Sequence, residues 1–428
     1  MRQFRWLQAI ENKSNLKTIV FGLRYYKNRA GFFQQVARGA GQTVTLLTFL
    51  HLSGCANSPQ EMPETGTDTP IQAAEPISEP VAEDLPPAPE PVPRRNLQAE
   101  RISIAAVGDM MLGTDFPENH LPDDDGVSFL TAVTPALSGA DITFGNLEGV
   151  LLDGGEPAKK CSNPNACYLF RSPSRYIEHY VAAGFDVLSL ANNHARDFGE
   201  EGRLASMETL AAAGVSHSGL EGDFAEMTVS DLKVAVLAFA VTKNSNMLLD
   251  YELSETKVAE HAARNDIVIV SFHGGAEGQD VTHLPFAEEE FLGEPRGDVV
   301  RFARMVVDAG ADLVLGHGPH VVRALELYKG RLIAYSLGNF ATYYGISVAG
   351  NKGIAPILVT TLDGEGKFIA GQIHSTIQLR PAGPSIDIRN RALRMIRDLS
   401  NEDFGTPGIQ FNTDGSLMPV PRTTPIAR

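Results

Sequence analysis

The chain has 428 residues, of which 43% are hydrophobic, so it is long enough for one large domain or two modest ones with a buried core. Its net charge is −16 at pH 7. We therefore expect no nucleic-acid partner, because binding phosphates needs an excess of Lys and Arg. A divalent cation suits this composition better.

The first 55 residues are basic and end in a short apolar run. They carry eight Lys or Arg and one acidic residue, and the run 46–52 is interrupted by Thr48 and His51. A membrane-spanning helix needs about 20 apolar residues, so this run is too short. It leads into LSGC at 52–55, which looks like a bacterial lipobox. We interpret 1–55 as a lipoprotein signal region with Cys55 acylated; the alternative is a chance LSGC in an N-terminal tail.

Residues 56–100 form a second distinct segment, rich in Pro, Glu and Ala. They carry nine acidic residues against two Arg and contain no aromatic residue. Such a segment cannot bury enough apolar surface to offset the entropy lost on ordering, which predicts a disordered acidic linker. A lipid anchor followed by a spacer would hold the protein at a membrane of the cell envelope, facing the periplasm.

Five short apolar runs follow, each with the length and composition of a buried strand, and each stops at polar residues. The runs are 102–107, 142–144, 185–190, 267–272 and 313–315. The polar residues after them are Asp109, Asn146 with Glu148, Asn192 to His194, His273, and His317 with His320. In open α/β sheets, ligand sites lie at the carboxyl ends of the strands, so we expect these side chains to converge at one edge.

Helical patterns alternate with these runs, at 129–137, 174–183, 202–213, 255–264 and 298–308. This alternation indicates the α/β class. After Gly318 the pattern changes to strands joined by tight turns, at 321–335 and 357–377, which is typical of antiparallel hairpins. We place one domain at 101–380 and a C-terminal extension at 381–428.

Two of the three cysteines, Cys161 and Cys167, flank a segment whose Pro164 and Asn residues favour a turn. An exported protein permits a disulfide at such a place. A soft-metal or redox pair is the alternative, but the spacing is not Cys-x-x-Cys and no further thiol completes a site. We predict a disulfide between Cys161 and Cys167.

Six motifs in a fixed order carry a family resemblance. They are GDMMLG at 108–113, NLEG at 146–149, LANNHARDFG at 190–199, FHGGAEG at 272–278, GHGPHV at 316–321 and YSLGNF at 335–340. In this order they resemble the CapA family of capsule or poly-γ-glutamate synthesis proteins, a branch of the calcineurin-like metallophosphatase superfamily. The resemblance spans roughly 102–378 and implies an αββα sandwich with mixed sheets.

The resemblance also implies a site for one or two divalent ions, Mn, Zn or Mg. Carboxylates that neutralise charge and imidazoles that fix geometry are the residue types such a site needs. His194 matches the position of a proton donor to the leaving group, a role that imidazole suits near neutral pH. The implied metal ligands are Asp109, Glu148, Asn193, His273, His317 and His320.

Glu277 and Asn339 follow apolar runs near these motifs, and we expect both to line the substrate pocket. For Asn339 the alternative is a turn with Gly338, and for Arg196 with Asp197 the more ordinary role is to cap the following helix.

Two departures from the superfamily pattern leave the number of metal ions open. Met111 stands where a histidine is usual, so one imidazole is missing. His317 and His320 are three residues apart, which on a straight strand would put their rings on opposite faces. The intervening Gly318 and Pro319 must therefore turn the backbone if both rings share a site.

Two functions fit these features. The first is a metal-dependent hydrolase that cleaves a phosphoester or a γ-glutamyl amide during synthesis or export of an anionic cell-surface polymer such as capsule or poly-γ-glutamate. The second is a non-enzymatic accessory subunit of a membrane synthase that binds metal or polymer at the same site. The sequence leaves open which of the two applies. A broad-specificity phosphodiesterase or 5′-nucleotidase fits less well, because those proteins usually keep the missing histidine.

Replacing Cys55 by Ser tests the lipid anchor. We expect Cys55→Ser to leave the protein unprocessed or to release it from the membrane fraction, because the acylated thiol is lost. Mass spectrometry and membrane fractionation measure both. Unchanged mass together with unchanged membrane partitioning would rule out acylation at this position.

Overall fold

Two β-sheets lie face to face in the computed structural model, which describes residues 100–159 and 167–420. Within these residues, the first sheet has ten strands and the second has six. The first sheet contains β1 (Arg101–Met111), β2 (Ile142–Leu147), β5 (Val187–Ser189), β6 (Ser216–Ser218), β15 (Asn339–Thr342), β16 (Ile354–Asp363), β17 (Phe368–Gln378), β18 (Pro384–Ile386), β19 (Ile409–Phe411) and β20 (Ser416–Pro419). The second contains β7 (Ala225–Val229), β8 (Leu232–Ala240), β9 (Ile267–His273), β12 (Leu313–His317), β13 (Leu325–Tyr328) and β14 (Arg331–Ala334).

The described residues also contain two small sheets, six α-helices and two 3-10 turns. Two small two-stranded sheets pair β3 (Val150–Leu151) with β4 (Arg171–Ser172) and β10 (Glu289–Phe291) with β11 (Glu294–Gly297). The helices are α1 (Thr134–Leu137), α2 (Ile177–Ala183), α3 (Gly199–Ala212), α4 (Tyr251–Ala262), α5 (Val299–Asp308) and α6 (Arg391–Phe404), with 3-10 turns at Ser174–Tyr176 and Gly350–Gly353.

Both sheets mix parallel and antiparallel pairs. The main strand order of the first is β19-β20-β17-β16-β1-β2-β5-β6, with β15 paired to β1 and β18 to β17; the order of the second is β13-β14-β12-β9-β8-β7. In the first sheet β1 runs parallel to β2 and β15 but antiparallel to β16. In the second, β8, β9, β12 and β14 are parallel, while the edge strands β7 and β13 are antiparallel. The mixed sheets predicted from the sequence are confirmed.

Alternating side chains of each strand divide the core into three layers. Ile104 and Phe144 of the first sheet and Ile269 and Leu315 of the second belong to one buried cluster between the sheets. The outer face of the first sheet packs against α2 and α3, and that of the second sheet packs against α4 and α5. The αββα sandwich is thereby confirmed.

The strands that carry the polar clusters do not share one sheet edge. β1, β2 and β5 belong to the first sheet, whereas β9 and β12 belong to the second. The expectation of a single edge is wrong, because β8, an apolar run at 232–240 outside the five predicted strands, starts the parallel part of a second sheet. A short apolar run cannot be assigned to strand or helix by periodicity alone.

Helix ends differ from the predicted ones where local chemistry decides them. Asp250 and Asp298 cap α4 and α5 through their side chains. The predicted helix at 174–183 begins as a 3-10 turn, and the Ser174 hydroxyl at its start donates to Asp153. Of the predicted helix at 129–137, only Thr134–Leu137 is α-helical.

Residues 381–420, which the sequence analysis sets apart, complete the first sheet. β18 and β20 pair with β17, and β19 pairs with β20. Leu393 and Ile396 of α6 join the cluster between the sheets, and Leu399 joins the cluster under the second sheet. This segment therefore closes one side of the sandwich.

Several sequence-based predictions fall on residues outside the described part of the chain. They concern the signal region 1–55 with Cys55, almost all of the linker 56–100, and Cys161. Cys167 is disulfide-bonded, and its pairing with Cys161 stays a prediction. In the described ranges, no helix is both long and apolar enough to cross a membrane.

Phe302 provides a test of the core beneath the second sheet. It is fully buried, and its ring centroid lies 5.6 Å from that of Phe239 and 5.7 Å from that of Phe272. We expect Phe302→Ala to lower the free energy of unfolding by about 3–5 kcal/mol, because a buried aromatic ring is lost and a cavity remains. Leu292→Ala, at a side chain 86% exposed, is the control and should change it by no more than about 0.5 kcal/mol in chemical denaturation. Equal effects would contradict the assignment.

Candidate metal centre

Strand register places the polar residues of the site side by side. On the first sheet, Asp109 of β1 is in register with Asn339 of β15 on one side and Asn146 of β2 on the other. On the second sheet, His273 of β9 is in register with His317 of β12. Each sheet thus contributes one row of polar side chains at the carboxyl ends of its parallel strands, where α/β proteins bind ligands.

Gly108 allows β1 to bring Asp109 into this row. A Cβ at position 108 would lie 1.8 Å from the Gly338 carbonyl oxygen, so no other residue fits without moving the backbone. The Asp109 backbone N–H donates to the same oxygen at 2.9 Å. The register of β1 against β2 also shifts between Ala106 and Asp109. Glycine is therefore required before Asp109 in the first motif, because a side chain there would collide with the Gly338 carbonyl oxygen.

The Gly318-Pro319 turn brings His317 and His320 to the same carboxylate. His317 Nδ1 lies 3.5 Å from Asp109 Oδ1, and His320 Nδ1 lies 2.9 Å from Asp109 Oδ2. Gly318 has φ +116°, and a Cβ there would lie 2.6 Å from the Gly274 carbonyl oxygen. His320 itself has φ +61°, a conformation uncommon for a non-glycine residue. The turn that the spacing of three requires is present.

Asn146 links the two carboxylates of the site. Its Nδ2 donates to Asp109 Oδ1 at 2.9 Å and to Glu148 Oε2 at 2.6 Å. His273 Nδ1 lies 3.6 Å from Glu148 Oε2. One potential ligand atom from each of Asp109, Glu148 and His273 lies within 4.8 Å of the other two, and all three residues are buried. These three form a candidate divalent-metal site.

The electrostatics of this cluster depend on burial. Burial and then the charge of Asp109 raise the pKa of Glu148 well above its usual value. Burial also acts to raise the pKa of Asp109, but its contacts with His317 and His320 outweigh this and lower that pKa. For His320, burial is opposed by Asp109, Glu148 and Glu277, which raise its pKa to about 9. Burial lowers the pKa of His273 well below its usual value.

Unsatisfied polar atoms indicate that these residues fit a metal ion. Neither ring nitrogen of His273 or His317 has a hydrogen-bond partner among the described residues, and neither does Glu148 Oε1. Buried polar groups are normally paired, and each unpaired one costs about 1–3 kcal/mol. Carboxylate oxygens and neutral imidazole nitrogens are ligands that Zn²⁺ and Mn²⁺ accept. A divalent cation could take one nitrogen of each ring and a Glu148 oxygen as ligands, and it would balance two buried carboxylates.

Asn192 and Asn193, which follow β5, make different contacts. Asn192, which the sequence analysis does not assign, donates through Nδ2 to Asn146 Oδ1 at 3.1 Å and to the Leu147 carbonyl at 2.8 Å. Asn193 Oδ1 is buried and has no hydrogen-bond partner within the described chain, so that oxygen is available as the predicted ligand. The bridging roles of Asn146 and Asn192 depend on cross-strand neighbours, so no local sequence pattern predicts them.

His194 is held beside the cluster by a carboxylate and an aromatic ring. Its Nδ1 lies 2.7 Å from Asp197 Oδ2, and its ring centroid lies 4.3 Å from that of Phe170. The His194 backbone N–H donates to Asn192 Oδ1 at 3.0 Å, which ties it to the Asn146 network. Burial lowers the pKa of His194, while Asp197 opposes this. The neutral ring is therefore favoured.

Asp197 does not cap the following helix. Its Oδ2 accepts from the Phe170 backbone N–H at 2.8 Å as well as facing His194, and its Oδ1 lies 3.2 Å from Lys159 Nζ. The cap position of α3 is Phe198, which makes no side-chain cap. The expectation of a capping role is wrong for Asp197, because the carboxylate turns inward to orient His194.

Glu277 and Asn339 reach the site in different ways. Glu277 Oε2 lies 3.8 Å from His320 Nε2, and its Oε1 lies 3.0 Å from Arg296 Nη2. Asn339 is buried, and its Nδ2 donates to the carbonyls of Ser347 and Lys352, so it holds the loop after β15 in place. Its Oδ1 has no partner among the described residues. Glu277 therefore faces the imidazoles, whereas the amide donor of Asn339 serves the backbone.

The missing imidazole is replaced by apolar packing. Met111 is 1% exposed and forms a small cluster with Phe170 and Ile346. A thioether in such surroundings does not provide the hard or borderline ligand that these metals prefer. The site therefore has no metal ligand at position 111.

Loss of His273 or His317 should lower metal binding. We expect His273→Ala and His317→Ala to reduce affinity for Mn²⁺ or Zn²⁺ by at least about 10-fold, because a candidate ligand is removed from a buried site. His283→Ala is the matched control, since that ring is exposed and pairs with Asp403. His194→Ala should also spare the metal. Metal content after dialysis and the thermal shift on adding metal are the measurements; full retention in His273→Ala would contradict the site.

Comparison with known proteins identifies the family of this chain. Residues 103–344 match the model of the family described as bacterial capsule synthesis protein PGA_cap. The chain is 27% identical over 271 residues to the capsule biosynthesis protein CapA of Bacillus anthracis, covering 58% of this chain and 61% of the relative. It is 27% identical over 231 residues to a probable polyglutamine synthesis accessory protein of Mycobacterium tuberculosis (strain CDC 1551 / Oshkosh), covering 48% and 56%.

A solved 5′-nucleotidase precursor from Thermus thermophilus is similar at 13% identity, with a TM-score of 0.37, covering 71% of this chain and 59% of that chain. A TM-score of this size does not bear on activity. The chain spans about three fifths of the length of the CapA relative that it matches. Because the family model covers more than half of the chain and all six motifs, the chain belongs to the bacterial capsule synthesis protein family PGA_cap.

Proposed function

We propose that this protein is a metal-dependent hydrolase that acts on a phosphoester or a γ-glutamyl amide during the synthesis of capsule or poly-γ-glutamate. The observation that carries the proposal is the oriented His194–Asp197 pair beside a buried Asp-Glu-His cluster. Paired orientation of an imidazole by a carboxylate is typical of proton-transfer sites, whereas a purely structural metal site has no need of it.

Asp109, Glu148 and His273 would hold the cation, with His317, His320 and Asn193 as further ligands. When bound, Mn²⁺, Zn²⁺ or Mg²⁺ would supply Lewis acidity at the scissile group. The apolar layers on both sides of the site keep the carboxylates buried, which strengthens their attraction for a cation.

His194 would move the proton. With Asp197 accepting from Nδ1, the neutral ring has its proton on that nitrogen and leaves Nε2 to exchange a proton with the substrate. Because burial favours the neutral form, Nε2 would accept the proton that the attacking water loses and then pass it to the leaving group, so the proton balance closes within one turnover. Phe170 and Asp197 together restrict rotation of the ring, so the donor position is defined before substrate binds.

The proposed setting is the cell envelope. The LSGC sequence at 52–55 and the acidic linker support a lipid-anchored protein that faces the periplasm. Family membership and the names of the relatives support a polymer-related substrate, with the anionic polymer or its synthase and export machinery as partner.

A non-catalytic accessory subunit is the second candidate, and Met111 favours it. Met111 packs against apolar residues where the superfamily usually has a histidine, so an imidazole ligand for a second catalytic metal is missing. The Mycobacterium tuberculosis relative carries the word accessory in its name. In this version the same cluster would hold one cation and position polymer for a synthase.

Turnover assays separate the two candidates. With Mn²⁺, Zn²⁺ or Mg²⁺ added, we expect hydrolysis of a γ-glutamyl peptide or a phosphoester, and we expect His194→Ala to lower kcat by about 10²- to 10⁴-fold while metal content is kept. Asp197→Asn should lower kcat in the same direction, because it favours the wrong tautomer of His194. His283→Ala is the control. Metal-loaded protein without turnover on either substrate class would favour the accessory role.

A further inference from the structure

A cavity of about 640 Å³ opens beside the metal centre, and apart from Asn193 its lining residues have no role in the proposed chemistry. Its walls come from both large sheets and from the small β10-β11 sheet, because Asn192 and Asn193 follow β5, Lys243 follows β8, and Arg296 lies on β11. The volume falls within the range of about 300–1,000 Å³ that is usual for ligand pockets. The cavity is therefore large enough for part of a substrate.

The charge of this cavity is opposite to that of the protein. Although the chain carries a net charge of −16, the acidic lining is confined to Glu294 among the described residues. The basic lining residues are Lys159, Arg196, Arg203, Lys243 and Arg296. A concave wall of one sign focuses the electrostatic potential and attracts the opposite charge.

Some of these cations are committed to the protein. Arg203 is buried and bonds to Glu200 and to the Asn244 carbonyl. Arg296 is 1% exposed and pairs with Glu277. These two arginines contribute positive potential while their positions are fixed.

The other three cations reach solvent, although Lys159 Nζ already lies 3.2 Å from Asp197 Oδ1 and 3.5 Å from the Asn193 carbonyl oxygen. Lys243 is exposed and makes no ion pair with any described residue. Arg196 is 38% exposed and shares the Glu200 carboxylate with Arg203. The Lys159 side chain is 29% exposed and pairs with Asp197. Together they form the solvent-facing basic group of the cavity.

The cavity adjoins the reacting groups on two sides. Lys159 contacts Asp197, which orients His194, and Arg296 contacts Glu277, which faces His320. Asn192 and Asn193 form the wall between them. A substrate group in the cavity would thus continue directly from one bound at the metal centre.

We infer that this cavity is a subsite for an anionic oxygen group of the substrate, a carboxylate or a phosphate, that adjoins the bond to be cleaved. The inference rests on the proposed function and adds a recognition element to it. Lys and Arg side chains bind both oxyanions through charge-assisted hydrogen bonds. Carboxylates would come from neighbouring residues of a glutamyl chain, and phosphate from a phosphoester substrate.

Binding of two probes to the full-length protein tests the subsite and distinguishes these sources. The probes are a γ-linked glutamate oligomer and inorganic phosphate, each titrated by calorimetry. We expect Lys243→Glu to weaken binding of the preferred probe by about fivefold, as suits one exposed cation, and Lys243→Glu with Arg196→Ala to weaken it further. Metal content should stay unchanged in both variants, since neither residue belongs to the metal centre.

Lys367→Glu is the matched control. Lys367 is also exposed and lies in the turn between β16 and β17. This turn is far from the site, because Asp363 at its start pairs with Arg101, the first residue of β1, whereas Asp109 lies near the other end of that strand. Weakening by Lys243→Glu but not by Lys367→Glu supports the subsite, whichever probe is preferred. Failure of both probes to bind, or equal binding to wild type and Lys243→Glu, overturns it. Neither result depends on turnover, so the hydrolase proposal is judged separately by His194→Ala.

Discussion

Two carboxylates brought together in a buried position constrain the whole site. Asp109 and Glu148 have no solvent exposure, and the Asn146 amide donates to both. Two like charges in such surroundings are unfavourable unless cations compensate them. His317 and His320 turn toward Asp109, and His273 approaches Glu148. The neighbouring loops are therefore shaped by the need to surround these two groups.

Each of the two sheets supplies part of the site. The first supplies the carboxylates and amides, and the second supplies His273 and His317 in adjacent register. The cluster between the sheets fixes their separation, since it contains Phe144 of β2, two residues before Asn146, and Leu315 of β12, two residues before His317. A packed core of this kind resists small displacements. The geometry of the site is thus a consequence of core packing.

A buried ion pair braces the loops that carry the imidazoles. Arg323 has no solvent exposure and makes two hydrogen bonds to Glu289, at 2.8 and 2.7 Å. Glu289 also accepts from the Ala276 backbone N–H, and Arg323 Nε donates to the Val281 carbonyl. The segment after His320 is thereby joined to the segment after His273. Removing either partner would leave an uncompensated buried charge, so the pair favours one arrangement of these two segments.

The charge of the cavity differs in sign from the net charge of the chain. The chain carries a net charge of −16, whereas the cavity beside the site has mainly cationic lining. This contrast would favour entry of an anionic substrate at one place only.

The class of fold, the family and most residues of the candidate site could be predicted from the amino-acid sequence. Motif order and residue chemistry were sufficient because Gly108-Asp109, Glu148, His273 and the two terminal histidines each follow an apolar strand, and strand ends are readable from local patterns. The need for a turn at Gly318-Pro319 followed from side-chain alternation alone.

Which of these residues meet, and what surrounds them, depends on contacts between distant segments that the sequence does not reveal. The division into two sheets, the bridging role of Asn146, the orientation of His194 by Asp197 and the joining of residues 381–420 to the first sheet all depend on register and packing between distant segments. The basic cavity combines residues from 159 to 296. No local pattern encodes such long-range neighbours, because pairing across sheets is selected by the burial of the whole core.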